Sequence, residues 1–250
     1  MHCEERFFEI YGKEAEGCSF SPYRICPIGA HSDHNLGKIT GFAIDKGIHI
    51  AFCPKQNGVV EMQSLQFPKR AQWHIREIGS KTGDWADYLR GATWALNKKF
   101  QLSVGISGVI EGSLPIGGLS SSAAVILAYL DALCQVNRIE LTPQELISVA
   151  FDAEKNYVGI NVGTLDQSCE VLSKKDHLLY LDCRDNRYEL IPTNPAMKPY
   201  QIAIFFRVWS IPWPGANSIC AWMSSGPVSM RSWPLPVMSM ASLIRPTPAM

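Results

Sequence analysis

"LPIGGLSSSAAVILAYLDAL", Leu114–Leu133, sets two adjacent glycines and three serines directly before a long apolar run. The run reads as a helix over about 120–136, so the loop Leu114–Ser122 ends at a helix N-terminus. Helix N-termini present unpaired N–H groups and a partial positive charge, and phosphates settle there. Gly117 and Gly118 let the backbone approach an oxyanion closely. A small hydroxyl can ligate a Mg2+ shared with phosphates. The plainer alternative is a glycine turn with a serine N-cap. The pattern P-x-x-G-L-S-S-S-A-A lacks the G-x-x-x-x-G-K-[ST] spacing of the Walker loop.

Working outward, 41–54 (GFAIDKGIHIAFCP) reads as a strand. A second strand over 58–67 follows the turn PKQNG, which predicts a hairpin. The alternation in 71–78 predicts a third strand. Residues 84–100 place Trp85, Tyr88, Leu89, Ala92, Trp94 and Leu96 on a helical stripe, with Asp84 as the expected N-cap. A strand over 101–110 precedes the Gly/Ser loop. Thr142, Pro143 and Glu145 open a helix over 142–159. Residues 177–183 and 200–206 are strand-like. Strands and helices mix without strict βα alternation, which predicts an α+β two-layer domain.

Composition narrows the function classes. The 23 basic and 23 acidic residues of this 250-residue chain cancel, which gives no electrostatic footprint for nucleic acid. The eight cysteines, at 3, 18, 26, 53, 134, 169, 183 and 220, form no C-x-x-C pair, so neither a zinc site nor a disulfide framework is expected. The charged start MHCEERFFEI has no apolar leader, and the apolar helix is interrupted by Tyr129, Asp131 and Gln135. These features predict a soluble cytoplasmic protein with no membrane partner; the oligomeric state is not legible.

Composition breaks after Phe206. Residues 207–250 hold no Asp, Glu or Lys, yet carry four of the seven Trp and seven of the 16 Pro. The domain expectation is therefore a body over 1–206. The segment 207–250 is expected to be an aberrant, low-charge Trp/Pro-rich tail, unfolded, as a shifted reading frame or a mispredicted exon would produce, the alternative being an aromatic, proline-rich interaction segment.

Four motifs in the body resemble the GHMP small-molecule kinases, and within them the galactokinase branch. LPIGGLSSSAA is similar to that family's ATP-phosphate motif. SPYRICPIGAHSDHNLGKITGFAIDKG (21–47) resembles the branch's N-terminal signature, WADYLRG (85–91) its W-x-x-Y-x-x-G helix, and AEKNYVGINVGTLDQ (153–167) its A-E…G…G…D-Q segment. The resemblance implies the ribosomal-protein-S5-domain-2-like fold of the GHMP N-terminal domain, ATP and Mg2+, and a small-molecule sugar or sugar acid as partner. It implies phosphate contacts from Pro115, Gly117, Gly118, Leu119, Ser120, Ser121, Ser122 and Ala123. Ser122 and Glu154 match the Mg2+ ligands. Asp166 falls at the catalytic base and Arg24 at the basic residue beside it, where a guanidinium holds the carboxylate ionised and spreads transition-state charge. Sugar contacts fall to Ala30, His31, Asp33 and Gly163. Trp85 borders the adenine or else is a core aromatic.

Two departures bear on the substrate. Galactokinases carry Glu where this chain has Ala30, and Tyr where it has His34. Loss of the Glu removes a negative charge facing the sugar's primary hydroxyl. A C6 carboxylate then avoids a like-charge clash that costs several kcal/mol in a dry site. The stretch YRICPIGAHSDH is similar to the galacturonokinase members of the branch, which implies transfer to the anomeric hydroxyl of galacturonic acid. The alternatives are galactokinase activity on galactose and a non-catalytic nucleotide- or sugar-binding regulator. The family's third motif, G-x-G-x-G-G, occurs nowhere in this sequence, so the expectation is a truncated chain without the C-terminal GHMP domain.

Overall fold

The computed structural model describes residues 2–198 and 200–205, and the strand at 241–244. Its elements, in chain order, are α1 (His2–Tyr11), β1 (Gly17–Ile25), β2 (Lys38–Lys55), β3 (Val59–Ser64), β4 (Ala71–His74), α2 (Asp87–Asn97), β5 (Gly105–Gly112), α3 (Ser121–Asn137), α4 (Pro143–Asp152), α5 (Leu165–Leu172), β6 (His177–Asp182) and β7 (Arg187–Pro192). A 3-10 turn spans Asp33–Asn35, and α4 runs on into a π-helical turn, Ala153–Val158.

β2 is the spine of a seven-stranded sheet. It pairs antiparallel with β1 from Phe42 to Phe52, with β5 from Ile48 to Lys55, and with β6 from Lys38 to Gly41. The sheet continues from β5 to β3 in parallel and from β3 to β4 antiparallel. One expectation is corrected here: β2 and β3 do not form a hairpin, because β5 lies between them. The turn Lys55–Gly58 carries the chain over that vacant strand position, which turn chemistry alone does not reveal. β5 fills the gap with Ile106, Val109 and Ile110, all buried.

Side-chain alternation gives the sheet two faces. Ser19, paired with Ile50, donates its hydroxyl to the Ala128 carbonyl of α3 at 2.8 Å, so that face carries α3. The neighbouring positions Ala51, Cys53 and Val109 face α1 and pack on Cys3 and Phe7. The main helical layer is thus backed by one short helix beyond the sheet. α1 is not foreseen in the sequence, since MHCEERFFEI reads as a charged end.

α3 is hydrophobic nearly all round, with ten buried side chains from Ala123 to Cys134. It is therefore a central core helix. α4 begins at a capping box, Thr142 with Glu145. α2 starts at Asp87 rather than at Asp84, and its N-cap position, Ala86, makes no side-chain bond. The correction has a physical cause. The Asp87 carboxylate turns back onto the Thr82 and Gly83 N–H groups, at 3.0 and 2.6 Å, while Asp84 is drawn to Arg90 at 2.7 Å.

The compact body runs from residue 2 to Pro192, earlier than the compositional break at Phe206. A second unit begins at Thr193; within it Ile202–Phe205 pairs antiparallel with Ala241–Ile244. Apart from that strand, the tail expectation for 207–250 lies outside the described residues.

Candidate functional site

The site is built from four pieces: the end of β1, the loop before α3, the π-helical turn after α4, and the first turn of α5. Arg24, near the end of β1, is held by two acceptor sets. Its Nε and Nη2 donate to Asp166 Oδ1 at 2.8 and 2.7 Å. Its Nη1 donates to the Gly118 carbonyl at 3.1 Å. The Arg24 backbone N–H also donates to the Leu119 carbonyl at 3.3 Å. Both side chains of the pair are part-buried, 15% and 21% exposed. Burial opposes the Arg24 charge, and Asp166 more than offsets it, so the guanidinium stays protonated.

The phosphate loop has the form an anion needs. Gly117 and Gly118 have φ of 142° and 70°, and space for a Cβ lies open at both. They are exposed, while Leu119 and Ser120 turn inward. Ser120 is the N-cap of α3 with left-handed backbone, φ 63° and ψ 40°, and its side chain makes no cap bond. The first N–H groups of α3 are therefore left without a side-chain acceptor, which is the condition under which a helix start takes a phosphate. The residues present fit a nucleotide triphosphate.

Glu154 lies in the π-helical turn, 1% exposed, and accepts a hydrogen bond from Gln167 Nε2 at 2.7 Å. The Ser122 hydroxyl also reaches its carboxyl. Burial pushes the Glu154 pKa up to about 7, the Ser122 hydroxyl draws it back, and Asp166 adds to the rise. No three His, Cys, Asp or Glu side chains among the described residues cluster as a metal cage. One carboxylate and one hydroxyl beside a phosphate loop suit Mg2+, which keeps most of its shell from phosphates and water.

The sugar-side residues divide. Asp33 Oδ2 accepts from the Leu165 N–H at 3.2 Å, so the 3-10 turn is tied to the start of α5 one residue before Asp166. A Cβ at Gly163 would land on the Asp33 carboxylate, which explains why that position is glycine. His34 Nδ1 lies 3.5 Å from Asp33 Oδ1. Ala30 and His31 sit on the exposed turn between β1 and this 3-10 turn, His31 with φ 65°.

The fold thus brings together Arg24, Asp166, Glu154, Ser122 and the loop Gly117–Ser122, with Asp33 and Gly163 one tether away. Among the described residues no hydrogen bond or ring contact of Trp85 reaches them. It stacks on Phe67, ring centroids 6.1 Å apart at 4°, and its Nε1 donates to the Lys69 carbonyl at 3.1 Å. Trp85 is half-buried rather than part of the core. Two participants escape sequence reading. Gln167 is fully buried against Glu154, and Glu170 is buried one turn beyond Asp166. Both belong to α5, an eight-residue helix whose N-cap, Thr164, makes no side-chain bond. Only the spacing of Asp166 and Glu170, one helical turn apart, hints at a shared face.

Known proteins resemble this chain in sequence and in fold. Residues 87–174 match the model of the GHMP kinases N terminal domain, and residues 5–54 match the galactokinase galactose-binding signature. A galacturonokinase of Arabidopsis thaliana is 38% identical over 206 residues, covering 74% of this chain and 49% of that protein. A galactokinase of Roseiflexus sp. (strain RS-1) is 32% identical over 194 residues, covering 77% of this chain and 50% of that protein. The crystal structure of Lactococcus lactis galactokinase complexed with galactose superposes with a TM-score of 0.75 at 28% identity, over 81% of this chain and 53% of that one. The Methanococcus jannaschii mevalonate kinase shares the fold at a TM-score of 0.58 and 19% identity. The chain spans about half the length of the curated relatives it matches.

Proposed function

Because this chain belongs to the GHMP kinases and carries their N-terminal domain, we propose that it serves an ATP-dependent sugar 1-kinase whose acceptor is the anomeric hydroxyl of galacturonic acid. One observation carries the reading. The Arg24–Asp166 pair is tied to the phosphate loop through Gly118 and Leu119, and to the sugar-side turn through Asp33 on Leu165. A carboxylate held between an anion cradle and a polar turn is placed to serve a hydroxyl that receives a phosphoryl group.

Each residue then has a task. Asp166 accepts the proton of the attacking hydroxyl. Arg24 pairs with that carboxylate and stands beside the loop, where charge develops on the transferred group. The α3 N–H groups and Gly117–Gly118 hold the phosphates. Ser122 and Glu154 would hold Mg2+, which when bound neutralises phosphate charge. Asp33 keeps one oxygen on Leu165 and offers the other to the sugar. Ala30 puts no negative charge at its own position, which favours an acid at C6; the 38% identity to a galacturonokinase supports the same choice.

A second reading, galactose as acceptor, is favoured by the match of residues 5–54 to the galactose-binding signature. ADP release measured with each sugar separates the two. Faster turnover of galacturonate is expected, and faster turnover of galactose would overturn the sugar-acid assignment. Calorimetric binding of Mg2+–ADP and sugar without any ADP release would assign a regulator instead.

A further inference from the structure

α5 brings a second acid to the site that none of the roles above uses. Glu170 follows Asp166 by one helical turn, so both project from one face. It is 7% exposed, and neither carboxyl oxygen has a hydrogen-bond partner among the described residues. Facing it are Asp166 from its own helix, Arg24 and Tyr23 from β1, Ser120 from the entrance of α3, and Glu154 from the π-helical turn. Arg24 is the one cation in that set; its Nε and Nη2 turn to Asp166 and its Nη1 to the Gly118 carbonyl, and none of its donors is hydrogen-bonded to Glu170. An ionised Glu170 would be a third anion in a buried cluster with no cation of its own, an arrangement proteins avoid by keeping the proton.

A carboxylic acid has one O–H to give. The Ser120 hydroxyl beside it is buried, lies within reach of the Glu170 carboxyl, and has no other hydrogen-bond partner among the described residues. Ser120 is also a non-glycine residue in left-handed backbone, a conformation that persists only where its surroundings hold it. We propose that Glu170 is a positioning residue of the phosphate loop: as a carboxylic acid it donates its O–H to Ser120 Oγ and pins the left-handed turn that aims the first N–H groups of α3. The inference rests on the kinase reading of that loop. Full burial, and then the Asp166 charge, push the Glu170 carboxyl well above the usual carboxylate range, which favours the acid form.

The test uses the full chain and Mg2+–ADP as calorimetric probe, with Glu170→Gln, Glu170→Leu, Ser120→Ala and the Leu/Ala double variant. The Gln amide can still donate, so Glu170→Gln should retain affinity within about threefold, whereas Glu170→Leu should lose about tenfold or more. Ser120→Ala should reproduce the Leu loss, and the double variant should lose little further. Unchanged affinity in Glu170→Leu, or losses that simply add, would overturn the proposal. Should the parent chain bind no Mg2+–ADP, the kinase reading fails, and thermal unfolding carries the test of the contact itself. Non-additive Tm shifts for Glu170→Leu and Ser120→Ala support the pairing; additive shifts refute it. The acid form has its own check. A raised folded pKa gives stability that is lost as pH rises, so the Tm advantage of Glu170→Gln over the parent should widen from pH 6 to 9. A gap constant with pH refutes the neutral acid.

Discussion

The two halves of the candidate site are built on opposite plans. The sugar-side turn, from Ile28 to Leu36, is largely exposed; Ile28 is 71% and Leu36 58% accessible, and the turn adopts left-handed backbone at His31 and Leu36. The phosphoryl side is a buried knot in which Glu154 and Glu170 are almost wholly enclosed around the part-buried Arg24–Asp166 pair. On the turn, a side chain can change at little cost to folding. In the knot, every charge is balanced against its neighbours, and chemistry and stability are the same interactions. Substitutions that separate activity from stability in one region and not in the other are therefore the sharpest probes of this contrast.

The largest expected effect lies in the knot. Asp166→Asn keeps the shape but removes the proton acceptor and leaves Arg24 without its anion. Turnover should fall by about 10²–10⁴-fold, and Tm should fall with it, because one partner of a part-buried pair is lost. A variant with full Tm and lost turnover would mean that the two functions are separable there.

The next effect is a pH dependence. The Glu154 pKa is raised by burial from 4.5 to about 7. A raised folded value means that stability is present below the unfolded pKa and is lost as pH climbs through the folded one. The loss should amount to roughly 3 kcal/mol between about pH 4.5 and 7, and then level off. Denaturant titrations of the parent and of Glu154→Gln at several pH values check it. The Gln variant should have a shallower slope over that range, keeping the part Glu170 contributes, and equal slopes would show that Glu154 titrates normally.

Third comes the tether between the regions. Gly163→Ala drives a methyl onto the Asp33 carboxylate and displaces it from the Leu165 N–H. A loss of about 1–2 kcal/mol is expected from the overpacking and the broken hydrogen bond, with weaker sugar binding and nearly unchanged Mg2+–ADP binding. Equal loss of both ligands would make the two regions one cooperative unit.

The contrast also explains what the sequence disclosed. The Gly/Ser loop and α3 are local: the apolar run, the glycines and the start of α3 lie within one segment, so 120–136 reads directly as the helix observed at Ser121–Asn137. Thr142, Pro143 and Glu145 mark α4 for the same reason. The insertion of β5 between β2 and β3 is a long-range event with no local signature. The side chains of the knot come from β1, the α3 entrance, the π-helical turn and α5. Arg24 and Asp166 surfaced only through motif resemblance, and Glu170, in no motif, stayed hidden. Trp85 reads from the sequence as an adenine neighbour or a core aromatic; its stacking on Phe67 is a contact that spacing alone does not disclose.

The smallest effect belongs to the exposed turn, and it revises an expectation. A glutamate at position 30 would clash with a sugar acid by several kcal/mol if the site were dry, but Ala30 is exposed, and water and salt screen such a pair. Ala30→Glu should therefore lower galacturonate use relative to galactose by only about tenfold, near 1.4 kcal/mol, and less in high salt. Its stability should stay within about 0.5 kcal/mol of the parent, as for surface substitutions elsewhere. Steady-state rates with both sugars at low and high ionic strength, read beside thermal melts, separate the cases. A hundredfold preference insensitive to salt would mean that the turn is covered from solvent when sugar binds, and the exposed and buried halves would then close into one dry site.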